Sequence, residues 1–182
     1  MSDDVSSRLR LVTPPESEPV SLSEAKLFLR IEHDAEDAVI NRAIATAREA
    51  CEQFLRSALL PQEWELTVGC HGQLRVHLPL APASAIDTIT AVSVSGESTV
   101  LDETDFRLSL DGCSVFFEQP PTAEQMQIIY TASLADTAAA LPALLKQGIL
   151  HHVAALTEHR DGAAALPMAS VPCYQPFRRI GL

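Results

Sequence analysis

The residues best suited to chemistry in this chain are its histidines, cysteines and paired carboxylates. His151 and His152 are adjacent, and neighbours on a helix point about 100° apart, so they cannot share a metal at one face. His159 follows His152 by seven positions, two helical turns, which is too far for one ion. Partly buried or exposed helix histidines are therefore expected. Cys51, Cys70, Cys113 and Cys173 are separated by 19, 43 and 60 positions, unlike a zinc knuckle or a redox pair. They read as four reduced thiols, three of them in or near the core.

Carboxylate pairs do acid–base work only where their surroundings split their pKa values. Glu36 and Asp37 fall at a helix start and Asp102 and Glu103 in a polar turn, so neither pair asks for catalysis. Val94-Ser95-Gly96 lacks the first glycine of a nucleophile elbow. The seven glycines form neither a dinucleotide fingerprint nor a phosphate loop. No catalytic residue, metal ligand or cofactor is expected, and the chain does not read as an enzyme.

Charge narrows the classes further. The formal charge is −11 over 182 residues, which argues against a surface that grips nucleic acid or anionic lipid all round. It is uneven: residues 1–60 carry −4, residues 61–140 carry −9 with only Arg75 and Arg107 as bases, and residues 141–182 carry +2. An anionic partner would meet the C-terminal end. No uninterrupted apolar run is long enough for a membrane span. Met1-Ser2-Asp3-Asp4 is polar and acidic, the opposite of a secretory signal, so intracellular synthesis is expected.

The elements that must position any site follow from periodicity. Residues 1–19, with Pro14, Pro15 and Pro19, read as an extended leader. Ser21-Leu22-Ser23-Glu24 fits a capping box opening a helix over 22–31, with Lys26 and Arg30 facing out. Asp34 is placed to cap a second helix over 35–59, where Ile40, Ala43, Ile44, Ala47, Cys51, Phe54, Leu55 and Ala58 recur at helical spacing. Arg42, Arg48, Glu49, Glu52 and Arg56 fall on its other face.

The period then changes to two. Trp64, Leu66 and Val68 alternate with polar residues, as do Leu74, Val76 and Leu78. Further strands are expected around 86–94, 106–110, 115–118 and 126–131, giving five to seven short strands over 62–132. A third helix is expected over 141–159, with Leu141, Leu144, Leu145, Gly148, Ile149, His152, Val153 and Leu156 as its buried stripe. The fold class is α+β: a helical core from N- and C-terminal helices, an inserted β-rich block and an extended C-terminal arm over 161–182.

That arm ends Pro172-Cys173-Tyr174-Gln175-Pro176-Phe177-Arg178-Arg179-Ile180-Gly181-Leu182. Apolar anchors beside two arginines are the residue types that dominate interfaces. The arm either packs back on its own domain or docks on another protein.

Several stretches resemble the head–tail connector (adaptor) proteins of long-tailed phages and phage-like gene transfer agents. They are Pro19 to Lys26, Leu29-Arg30-Ile31 with Asp34, the Ile40–Leu60 helix with its exit into Gln62-Glu63-Trp64, Ile128 to Ala132, and Leu141 to Leu150. Glu158-His159-Arg160 is similar to the family's helix end, where Asn more usually precedes Arg, and Tyr174 to Arg179 to its Tyr-Arg-rich terminus, departing at Gln175-Pro176-Phe177. The resemblance implies a connector domain over 20–160 and a subunit that forms a ring, commonly twelvefold, between the portal and the stopper or tail proteins. It implies that DNA passes through the ring without sequence-specific binding, and that no membrane is involved. It also implies portal docking by the arm through Tyr174, Phe177, Arg178, Arg179, Ile180 and Leu182, in the neck of a particle assembled in the bacterial cytoplasm. Another neck layer, such as a stopper or tail-completion protein, is the alternative. A small ligand-binding domain or enzyme would instead need a deep pocket with converging polar groups.

Overall fold

In the computed structural model the first helix, α1 (Leu22–Leu29), begins at the expected capping box: Ser21 accepts from the Glu24 N–H, and Glu24 accepts from the Ser21 N–H at 2.8 Å. The structure describes residues 7–158 and 166–179. They form two compact units, Met1–Pro15 with Pro61–Leu134 and Glu16–Leu60 with Ala135–Leu182.

The second unit is helical: α1, α2 (Asp37–Leu55), α3 (Ala143–Glu158) and a short α4 (Val171–Tyr174). Ile40, Ala43, Ile44, Ala47, Cys51 and Leu55 of α2 are buried, as are Leu145, Gly148, Ile149, His152 and Val153 of α3. Leu144, expected in that stripe, is 43% exposed.

Three expectations about charge fail here. Asp34 does not cap α2; Glu36 stands at that position without a side-chain bond. Asp34 instead accepts from the Lys26 ammonium at 2.6 Å, and Asp37 accepts from it at 2.8 Å, so Lys26 is folded in rather than free in solvent. Arg48 and Glu52, expected on the solvent face, are buried and paired at 2.9 Å. Arg48 also meets Glu18 at 2.9 Å. A long side chain that finds a partner can go inside at tolerable cost, which helical periodicity cannot reveal.

α2 ends at Leu55 rather than at 59 because Arg56 turns left-handed, with φ 57°. The chain then dives inward as Ala58, Leu59 and Leu60, all buried. Glu52 holds that turn by accepting from the Leu59 N–H at 2.9 Å.

The other unit is all strand. Its five-stranded antiparallel sheet has the order β1 (Arg8–Thr13), β2 (Gln62–Gly69), β8 (Gln125–Ala132), β4 (Ala83–Val92) and β5 (Ser98–Val100). A three-stranded sheet has the order β3 (Arg75–His77), β7 (Ser114–Phe117), β6 (Phe106–Leu108). β2 and β8 pair along their full length, setting Trp64 opposite Tyr130, Leu66 opposite Ile128 and Val68 opposite Met126. β8 alternates strictly between buried and half-buried residues, the signature of one face on the core. Leu66, Ile89, Met126, Ile128 and Tyr130 are fully or almost fully buried, as are Val76 and Val115 of the smaller sheet.

Seven strands fall within 62–132, the top of the expected range. The eighth was not expected: residues 8–13 of the supposed leader pair with β2, Arg10 meeting Glu65 at 2.6 Å and Thr13 meeting Glu63 at 2.6 Å. Among the described residues no helix is long and apolar enough to cross a membrane.

Candidate functional site

The residues expected to dock a partner lie at the end of the helical unit, and Gly148 of α3 decides how they sit. A Cβ there would fall 2.5 Å from Tyr174 Cε1 and 2.8 Å from Cys173 Cβ. The bare backbone lets α4 lie directly on α3. Ser170, itself buried, donates from its hydroxyl to the Gly148 carbonyl at 2.9 Å and fixes the contact.

Tyr174 is fully buried in this seat, its ring 6.2 Å from that of Phe54 on α2. Burial pushes its hydroxyl pKa up, as does the neighbouring Cys51 thiol, and burial likewise raises Cys51. Tyr174 was expected among the partner-facing residues. It faces its own helices instead, so residues 166–179 are not a free extended arm. The backbone leaves α4 through a 3-10 turn, Gln175–Phe177.

Beyond it the side chains open to solvent. Phe177 is half-buried, Arg178 is exposed with its guanidinium 5.0 Å above the Phe54 ring, and Arg179 is half-buried. The Arg179 N–H donates to the carbonyl of Leu55, the last residue of α2, at 3.2 Å. Ile180, Leu182 and His159 lie outside the described residues. The tail is thus pinned by Ser170, Cys173 and Tyr174 and presents Phe177, Arg178 and Arg179 at one end of α2. Phe54, Ser170 and Gly148 complete the arrangement. Gly148 and Phe54 carried a sequence signal, each standing in an apolar helical stripe, and Ser170 carried none.

The other chemistry-bearing residues stay apart. His152 is buried and its pKa is lowered by that burial, whereas His151 is half-buried and lies edge-on to Phe28 at 5.5 Å. The four cysteines form no disulfide; Cys51 and Cys173 are buried, and Cys70 and Cys113 are half-exposed. Among the described residues no three His, Cys, Asp or Glu side chains are grouped to hold a metal. Arg75 and Arg107, the only bases of 61–140, both stack on Phe116, at 5.5 and 4.7 Å.

A sequence profile of the phage gp6-like head-tail connector protein family matches residues 19–130. The chain belongs to this family. Its members are structural connectors, not enzymes. A search among curated proteins found no match. Among solved structures, the connector is similar to a chain in the neck of an empty gene transfer agent particle computed with C6 symmetry. The TM-score is 0.81 at 24% identity, over 96% of this chain and 97% of that one. A chain in the virion of a native gene transfer agent particle gives a TM-score of 0.78 at 24% identity, over 96% of both chains. A third, in the neck of a native particle computed with C12 symmetry, gives 0.73 at 24% identity, over 96% of this chain and 97% of that one. At this identity the likeness establishes the fold.

Proposed function

We propose that this connector is a structural adaptor in the neck of a phage or gene transfer agent particle. Copies form a ring, twelvefold by preference, between the portal and the stopper or tail proteins, and DNA leaves through the ring. One observation carries the reading: a family member shares its fold, over nearly the whole of both chains, with a neck protein of a gene transfer agent particle. The −9 charge of residues 61–140 suits a conduit for DNA, because like charge keeps a polyanion from sticking as it passes. The acidic residues line that channel without reading sequence.

The tail docks on the portal through Phe177, Arg178, Arg179, Ile180 and Leu182. Tyr174 acts from inside, as the anchor that fixes where those residues emerge. Deleting residues 177–182 should leave the fold intact and abolish neck assembly, whereas a cut before Tyr174 also removes core. Electron microscopy of particles carrying a tagged chain tests the reading. A ring of label between portal and tail is expected. Label on the tail side alone would move the protein to another neck layer, and particles without label would overturn the proposal.

A further inference from the structure

On the outer face of the smaller sheet two arginines share one ring. We propose that Arg75 and Arg107, held on Phe116, are where this chain touches the phosphate backbone of duplex DNA. The proposal rests on the ring reading above and names the residues that meet what passes through.

The three residues form one row. Phe116 of β7 is opposite Arg75 of β3 on one side and Arg107 of β6 on the other. Alternation turns Val76, Val115 and Phe117 inward, all buried, and leaves both arginines exposed with Phe116 half-buried. The Arg75 Nε–H also donates to the Ser114 hydroxyl at 3.0 Å. That bond fixes the guanidinium and leaves its two Nη groups for a ligand.

Positive charge gathers around this row. The side chains of residues 61–140 that can carry it are His71, His77, Arg75 and Arg107. His71, Arg75 and His77 line one cleft of about 350 Å³, and Arg107 joins Arg75 on the ring. The same stretch holds eleven carboxylates, yet among the described residues neither arginine is in an ion pair. Asp105 and Glu118 come next along β6 and β7 and line a different cleft with Glu97. A cation–π contact needs only one cation. A second on the same ring brings like charges within about 10 Å of each other, and an anion from outside relieves both.

Phosphate and carboxylate both suit a guanidinium. Two features favour DNA. The row stands exposed on a sheet face, where a rod can approach it. A duplex also repeats its phosphates about every 3.4 Å of axis on each strand, so guanidiniums this close reach neighbouring phosphates of one strand. The acids of this unit keep the rest of the duplex away. Each copy thus makes a point contact that guides DNA without gripping it.

The test follows binding of the full chain to a short labelled duplex by fluorescence anisotropy over a salt series. Two phosphate contacts should weaken binding about tenfold between about 50 and about 200 mM salt. Arg75→Ala or Arg107→Ala should each reduce that dependence to about threefold, whereas Arg107→Lys, which keeps the charge, should leave it. No binding at the lower salt, or a salt dependence indifferent to both arginines, overturns the proposal. So does displacement of the duplex by poly-glutamate at equal charge concentration, which would give the row to an acidic protein. Electron microscopy of particles carrying both alanine substitutions separates this from the ring reading. Normal necks are expected, and missing necks would make the row a protein contact and overturn the proposal. Particles of the unsubstituted chain with no ring at the neck would sink the ring reading and leave the measured duplex binding standing.

Discussion

Among the described residues the helical unit buries Arg48, Glu52, Ser57, His152 and Ser170, whereas the β unit buries Gln62 and Ser114. The β unit needs little polar material inside because its sheet satisfies its own backbone and alternation sends polar side chains outward. The helical unit must also hold an irregular turn after α2 and a tail on α3 whose only regular structure is the short α4 and a 3-10 turn. Two of its buried polar groups serve those segments: Glu52 accepts from the Leu59 N–H and Ser170 donates to the Gly148 carbonyl. The contrast teaches that chain leaving regular structure draws polar side chains inside to hold it.

The two units can be watched separately, since Trp64, the single tryptophan, lies in β2 and the helices dominate circular dichroism. The largest effect should come from Glu52→Ala, which strands the Leu59 N–H in the interior and takes from the buried Arg48 one of its carboxylate partners. It should cost about 3–5 kcal/mol, with the helical signal melting before Trp64 fluorescence changes. Coincident melting would mean the units unfold as one and would break the comparison.

Tyr174→Ala should cost about 3–5 kcal/mol by cavity formation, again read from the helical signal; a change near zero would mean the tail is not part of that core. Gly112→Ala tests the other unit. Its φ is +64° and an added Cβ would meet the Ala83 carbonyl oxygen at 2.6 Å, so a loss of about 1–3 kcal/mol should register first in Trp64 fluorescence. Arg56→Gly, at the left-handed residue closing α2, should stabilise the helical unit by up to about 1 kcal/mol in urea titration.

The smallest effect is a pH dependence. Glu24 is held down to about 2 by the Ser21 N–H, by Lys146 and by the Ser21 hydroxyl. A carboxylate with a depressed folded pKa stabilises above its ordinary value, here 4.5, and that stability is lost as pH falls towards 2. Glu24→Gln should flatten the acid response of the helical signal in this window and leave that of Trp64 unchanged. Asp111, depressed to about 2 by the Ser109 hydroxyl and the Cys113 N–H, is the counterpart in the β unit, and Asp111→Asn should do the reverse.

Much of this was legible before any coordinates. The capping box at Ser21, the α2 stripe from Ile40 to Leu55 and the alternation of Met126, Ile128 and Tyr130 are local patterns that read directly as helix or strand. β1 was not legible because its alternation, Arg8-Leu9-Arg10-Leu11, is short and stands between an acidic start and Pro14-Pro15, a setting that by itself reads as extended chain; its partner β2 lies 50 and more positions away. β5 escaped because three exposed residues carry no pattern.

The tail shows where local reading stops. Its composition marked Tyr174 and Phe177 as anchors, but composition cannot say which surface an anchor meets. Tyr174 goes to its own helices because Gly148, 26 positions earlier, leaves room for its ring.

The sequence by itself determined the three long helices, most of the strands, the charge asymmetry and the family, because periodicity, capping and motif order are properties of neighbouring residues. Tertiary structure alone decided that Arg48 and Glu52 lie inside, that Tyr174 is core, and that Arg10 meets Glu65 across β1 and β2. Each of those outcomes depends on groups brought together from distant parts of the chain, and a buried charge or ring is tolerated only where such a partner or space exists.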